Sequence, residues 1–273
     1  MDVLKFFRHL QPNKNTYTIV TFAGGLGAQI INAAVYFSMK NDEHPVYADL
    51  SYFDASESIA AVGTAGEVSH WSWRLGVFGL FPASFDRSSH LNRRNSETLQ
   101  DGLHMLELGL NALERPDIRK LFDIAPGVGD ILPSGFSDSF FCMHVRRGDF
   151  VNVASHLITD SEFLGLVSKF SGLVHNAVVI SDSPIAPDFR IVVSSYFRKV
   201  SFLDNIDAHA AHRIMRNARI LICSNSTFSL TAAALNPNAL VVVPKRWYGG
   251  KHRQMEAPIH ERCSFQIMEN RGG

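Results

Sequence analysis

What this chain lacks narrows it first. It has no charge excess, because 26 Lys and Arg residues balance 26 Asp and Glu residues over 273 positions. No global field therefore favours a nucleic-acid backbone, and any anion site is local. It has three cysteines, an odd number at unrelated spacings. Cys142 and Cys223 fall in apolar runs that read as strands, so with Cys263 they fit buried thiols of a reducing compartment, not a disulfide framework or a zinc site. No apolar stretch approaches the roughly 20 residues of a membrane span, and the opening MDVLKFFRHLQPNKN has no run of signal-peptide length. The expectation is a cytoplasmic protein without a transmembrane segment, in which Phe6 to Leu10 is a frayed lead-in or a peripheral membrane contact. There is no Asp-x-Asp triplet, so the commonest metal–diphosphate clamp is missing. His209 and His212 have no third ligand nearby and read as one helix face, and no metal is expected.

What is present is a core-forming chain, 46% hydrophobic, with strands and helices in alternation. Tyr17 to Phe22 reads as a strand, Gln29 to Met39 as a helix and Pro45 to Leu50 as a second strand, an opening βαβ unit. The pattern weakens between Ser56 and Pro133, apart from an aromatic cluster at Trp71, Trp73 and Phe78 to Phe81 and a helix expected over Glu97 to Leu113. Pro126 to Gly135 is rich in turn residues and marks a domain boundary. Beyond it come strand Phe140 to Val145, helix Asp160 to Phe170, strand Ala177 to Ser181, helix Asp188 to Tyr196 and strand Lys199 to Phe202. Helix Ala208 to Ala218, strand Ile220 to Ser224, helix Phe228 to Leu235 and strand Ala239 to Pro244 follow. Parallel neighbours need crossover connections, so this alternation predicts a doubly wound α/β sheet with ligands beyond the carboxyl ends of the strands. The expected domains are 1–135, 136–250 and a tail, 251–273, returning to the first domain.

Four clusters fall just after these strands. Gly24-Gly25-Leu26-Gly27-Ala28-Gln29 opens a helix, where glycines allow close backbone approach and unpaired N–H groups meet an anion or hydroxyl, although a tight strand-to-helix turn needs glycine anyway. His144-Val145-Arg146-Arg147-Gly148-Asp149 concentrates positive charge at the mouth of the sheet. Guanidinium forks bind phosphate bidentately, and Asp149 can orient an arginine, accept a proton or neutralise a charge. Ser224-Asn225-Ser226-Thr227-Phe228-Ser229 precedes a helix and offers more hydroxyls than one N-cap requires. Ser181-Asp182-Ser183 places a carboxylate where it can accept from a ribose or base, or form an Asx-turn before Pro184.

Together these residues resemble the α-1,2-fucosyltransferase family, whose bacterial members carry GGLGNQ, H-x-R-R-G-D and NSTFSWW-like motifs in that order. This chain reads GGLGAQ from Gly24, HVRRGDF from His144 and SNSTFSLTAAAL from Ser224, and the likeness runs on through PKRW at Pro244 to Trp247. The resemblance implies a GT-B fold, two Rossmann-like halves with parallel sheets facing a cleft. It also implies a GDP-fucose donor, inversion at the anomeric carbon, a glycan or lipid-linked oligosaccharide acceptor and no metal cofactor. Carried onto this chain, Arg146 contacts the donor diphosphate with His144 and Arg147 beside it, and Ser226 and Thr227 belong to a phosphate loop. Gly25 and Gln29, with Gly24 and Gly27, face the cleft. Asp149 is the first candidate for general base, with Asp49 and Asp54 as alternatives, although an ion pair to Arg147 would make Asp149 a poor base.

The chain departs from the family at Ala28, where Asn is usual, and at Leu230 and Thr231, where two tryptophans are usual. Ala211 occupies the place of an acidic residue that reads guanine, which leaves Asp207, one helical turn earlier, as a substitute. The alternatives are a transferase with another nucleotide-sugar donor, a nicotinamide- or nucleotide-dependent oxidoreductase, and a non-catalytic nucleotide- or glycan-binding relative. The missing last glycine of the dinucleotide fingerprint disfavours the oxidoreductase. With no Asp-x-Asp triplet, sugar transfer is expected to survive excess EDTA. Turnover that stops on chelation and returns with manganese or magnesium would contradict this.

Overall fold

The computed structural model describes residues 17–40, 45–53, 72–84, 96–99, 102–123, 136, 139–148, 151, 157–237, 239–244, 246–247, 255–256 and 265–268. The chain divides into two compact α/β units, Met1–Val128 and Gly129–Gly273.

In unit 1, β1 (Tyr17–Thr21), α1 (Leu26–Met39) and β2 (Val46–Asp49) form a parallel βαβ unit. A third strand, β3 (Ser96–Leu99), lies parallel on the other edge of β1, so the β-branched run of β1 is the buried centre of the sheet. Gly24, with φ 74°, turns the chain from β1 into α1, a conformation that favours glycine. Helix α2 (Leu103–Ala112) packs on α1, and α3 (Pro116–Lys120) follows with proline in its first turn. The single helix expected over Glu97 to Leu113 is therefore corrected. Glu97 to Leu99 pair with β1 as strand, and Gly102, with φ 151°, separates that strand from the helix. A four-residue strand carries too few periods to distinguish itself from the helix that follows.

Among the described residues, unit 2 is built on six parallel strands in the order β11-β8-β7-β4-β5-β6. These are β4 (Phe141–Val145), β5 (Asn176–Ser181), β6 (Lys199–Asp204), β7 (Ile220–Ile222), β8 (Leu240–Pro244) and β11 (Phe265–Met268). The short strands β9 (Arg246–Trp247) and β10 (Met255–Glu256) form a separate antiparallel pair. From the central β4 the chain steps outward to β5 and β6, then crosses to the other side of β4 for β7 and β8. Numbered from β4, this is the 3-2-1-4-5-6 doubly wound order, with its switch point between β4 and β7. Of the expected tail, 251–273, Phe265–Met268 supplies β11, which pairs with β8 and lengthens this sheet.

One face of the sheet is covered by α4 (Asp160–Phe170) and α5 (Pro187–Ser195), whose Phe163, Val167, Phe170, Phe189 and Val193 pack on Phe141, Met143 and Val179. A capping box between Thr159 and Glu162 starts α4. Helices α6 (Ala208–Arg216) and α7 (Thr227–Ala234) pack on each other, and α6 packs on β4. Among the polar residues of this interior are His144, 3% exposed, and His212, fully buried. Among the described residues no helix is long and apolar enough to cross a membrane.

Two expectations follow from this packing. A Cβ on Gly109 of α2 would stand 2.6 Å from Cγ2 of Ile31 and 3.0 Å from its carbonyl oxygen. Alanine gains about 1 kcal/mol of helix propensity over glycine, but overpacking a stiff β-branched neighbour and its backbone costs about 1–3 kcal/mol. Gly109→Ala should therefore lower the thermal midpoint, and a raised one would contradict the close approach. Burial, and secondarily the Arg146 charge, lowers His144 to about 3. Burial, then the charges of Arg216, His209 and His144, holds His212 well below the usual histidine value. Unfolded histidines take up protons near pH 6.5 while the native ones do not, so stability falls as pH drops below that value. The slope is about 1.4 kcal/mol per pH unit for each histidine. Urea unfolding at about pH 7.5 and pH 5.5 should show this loss in the wild type and much less in His144→Gln/His212→Gln, and equal losses would refute it.

Candidate functional site

Strands β4 and β7 run side by side, Met143 opposite Ile222, and the residues just past their carboxyl ends meet. Nδ1 of His144 and Oγ of Ser224 form a buried 2.7 Å hydrogen bond. The His144 ring rests on Phe228 of α7 with 5.4 Å between centroids, and His212 of α6 rests on the same Phe228 at 5.5 Å. His212 completes this cluster with a 3.2 Å hydrogen bond between its Nε2 and Oγ1 of Thr231. Because the fold keeps both imidazoles neutral, they join the strand ends and helices and carry no charge for a ligand.

Two residues beyond His144, the chain turns across Asp182, at the end of β5. The Asp182 carboxylate accepts from the Arg147 backbone N–H at 2.8 Å with one oxygen and pairs with the Arg146 guanidinium at 2.9 Å with the other. Gly148 N–H donates to Ser183 Oγ at 3.1 Å. A Cβ at Gly148 would lie 2.5 Å from the Asp182 oxygen, so a side chain there requires the carboxylate to shift from its present place. The two arginines have separate tasks. Arg147 donates to the Ile158 carbonyl at 2.7 Å, pairs with Asp160 and lies over Phe163, which fastens the loop to the start of α4. Arg146 stays at the strand end with its side chain 29% exposed, oriented by Asp182.

Across the switch point, Ser226 caps α7 by accepting from Phe228 N–H at 3.3 Å. Ser229 Oγ donates to the carbonyls of Ser224 and Ser226, holding the loop against the helix. Between them, Asn225 is 3% exposed, and neither its amide nitrogen nor its amide oxygen has a hydrogen-bond partner. An orphaned buried amide group costs about 1–3 kcal/mol, so such a side chain is the mark of a ligand or water site. The N–H groups and positive dipole end of α7 open at the same place, beside Thr227.

The other sequence candidates are placed as follows. Asp207 caps α6, accepting from His209 and Ala210 N–H at 2.9 and 3.1 Å, and Ala211 is buried. Gln29 is fully buried in unit 1, where its amide donates to the Gly24 and Ser72 carbonyls and accepts from Arg74 N–H, each at 2.9 Å. It thereby fixes the glycine turn, in which Gly25 is the N-cap of α1 and Gly27 lies in its first turn. Asp49 accepts from Ser51 N–H at 3.1 Å. Asp149 and Asp54 lie outside the described residues. Cys142 and Cys223 are buried free thiols, both pushed up by burial, Cys223 to about 12. Among the described residues no three His, Cys, Asp or Glu side chains converge as metal ligands.

Sequence reading missed the Arg190–Asp204 ion pair at the end of β6 and the His212–Thr231 bond. A carboxylate at a strand end and a histidine one turn inside a helix were the available signals.

No protein-family model matches the chain, and no curated protein matches it. Among solved structures, it is similar to the E. coli heptosyltransferase WaaC with ADP-2-deoxy-2-fluoro heptose, at 8% identity and a TM-score of 0.42, covering 94% of each chain. It is also similar to POFUT1 in complex with GDP-fucose, at 11% identity and a TM-score of 0.41, covering 84% of this chain and 97% of that one. WaaC with ADP gives 8% identity and a TM-score of 0.38 over 86% of this chain and 88% of that one. At these identities and TM-scores the likeness assigns neither an activity nor a ligand to this chain.

Proposed function

We propose that the chain is a metal-independent, inverting glycosyltransferase whose donor, GDP-fucose by the motif resemblance, binds in unit 2. The observation that carries this reading is the orphaned Asn225 amide at the start of α7, in the loop that the His144–Ser224 bond joins to the end of β4, with Arg146 two residues beyond His144. A doubly wound sheet binds ligands at that crevice. A cation, a helix N-terminus and a neutral amide fit a diphosphate ester flanked by hydroxyls.

In the transfer, an acceptor hydroxyl attacks the anomeric carbon from the face opposite the leaving group, the glycosidic C–O bond to the diphosphate breaks, and the hydroxyl proton passes to a base. Negative charge grows on the leaving diphosphate. Arg146 and the α7 N–H groups would bind that growing charge more strongly than the ground state, which is how they lower the barrier. Asp182 contributes by presetting the guanidinium, so little reorganisation is needed when the anion arrives. His144, lowered to about 3 by burial, holds a proton too weakly to serve as the base. Asp149, Asp49 and Asp54 remain the candidates for it, and the acceptor is a glycan or lipid-linked oligosaccharide hydroxyl.

The donor is tested by calorimetry. GDP should bind while UDP and NAD bind more weakly, and a clear preference for either of the latter overturns the donor. Arg146→Ala should leave the fold intact by circular dichroism and raise the barrier by about 2–4 kcal/mol, roughly 30- to 1,000-fold in kcat/KM. Near wild-type kcat/KM would refute the assignment.

A further inference from the structure

The opposite end of the unit 2 sheet has a different chemistry. Among the described residues 141–237, every acid lies toward the carboxyl ends of the strands: Asp160, Glu162, Asp182, Asp188, Asp204 and Asp207. At the amino ends, where β5 and β6 begin, the described charges are basic. Lys169 ends α4, and Arg198 and Lys199 open β6, all three exposed. Arg198 N–H donates to the His175 carbonyl at 2.8 Å and Asn176 pairs with Lys199, so these basic residues share one surface with the segment that follows α4. On that surface stands Leu173, 64% exposed. Tyr196, the C-cap of α5 two residues before Arg198, is 40% exposed, and Ile191 and Val192 on the solvent side of α5 are 68% and 38% exposed.

A helix dipole accounts for a lysine in the last turn of α4, but not for basic residues at a strand start. Nor does it account for a leucine, an isoleucine and a tyrosine held in water next to them. A surface that combines lysine and arginine with projecting aliphatic and tyrosine side chains matches the interface of an anionic bilayer. There the cations meet headgroup phosphates, aliphatic groups enter the acyl boundary and tyrosine lies between. We propose that this end of unit 2, comprising Leu173, Tyr196, Ile191, Lys169, Arg198 and Lys199, docks on a membrane carrying anionic lipids. The candidate donor site, at the other end of the same strands, stays clear of the bilayer. An RNA or an acidic protein would use the cations but not the exposed Leu173 and Ile191.

The test is co-sedimentation of the full chain, without nucleotide, with phosphatidylcholine vesicles and with vesicles containing phosphatidylserine. Binding is expected only to the anionic vesicles and is expected to fall steeply with salt. Near the surface each cation contributes about a five-fold gain in partitioning, so Lys169→Glu/Arg198→Glu should weaken binding at least about 25-fold. Leu173→Ser/Tyr196→Ser, which removes no charge, should weaken it as well. Both variants change exposed positions and should retain the wild-type urea midpoint. No binding to anionic vesicles, indifference to either double variant, or tighter binding to poly(U) RNA than to vesicles would overturn the proposal. Because no donor enters the assay, failure of the donor assignment leaves this result unaffected, and the reverse holds.

Discussion

The bond between His144 and Ser224 is the constraint on which the rest of unit 2 depends. In a doubly wound sheet the two strands at the switch point diverge in connectivity, one leading to β5 and the other to β8, and only local contacts keep their ends together. Here a short, buried hydrogen bond does so, backed by the rings of Phe228 and His212. A buried polar pair strengthens as water is excluded, provided that both partners are neutral and satisfied. The loops after β4 and β7 are thereby brought out beside each other.

Among the described residues, three arginine–aspartate pairs line the ends of β4, β5 and β6: Arg147 with Asp160, Arg146 with Asp182, and Arg190 with Asp204. All are partly exposed, so each adds little to stability, on the order of 0–1 kcal/mol. Their effect is geometric. Each fixes a guanidinium that would otherwise sample many rotamers, and Arg146 is fixed between the ends of β4 and β5. Arg147 and Arg190 tie loops to helices, Arg190 also donating to the Ile185 carbonyl and lying over Phe202.

Much of this was legible from residue order. The alternation of apolar runs and helical periods from Phe140 onward predicts the parallel sheet of unit 2 almost element by element, because a strand buried on both faces reads as a continuous apolar run. The clusters at His144, Asp182 and Ser224 stood out because they follow such runs. Partner choice was not legible. Arg147 is bound by Asp160 at the start of α4, and Asp182 reaches Arg146 from the neighbouring strand. Asp207 illustrates the same limit. Its position one turn before Ala211 suggested a base contact, and the structure shows in addition that one carboxylate oxygen caps α6. In unit 1, β3 escaped because pairing with β1, not its own pattern, makes it a strand.

The tight approach of Gly148 to Asp182 ties together two positions far apart in the chain. The glycine at 148 is not demanded by its own backbone angles but by the carboxylate that fills the space where its Cβ would go. The constraint is therefore conditional. A smaller residue at 182 would release position 148 to accept a side chain, whereas a side chain at 148 would push the carboxylate from the place where it meets the Arg146 guanidinium. Relatives of this chain should vary at the two sites as a couple, an acid accompanied by glycine and a small neutral residue by freedom. That covariation would record the presence of an oriented arginine more faithfully than the identity of either residue alone.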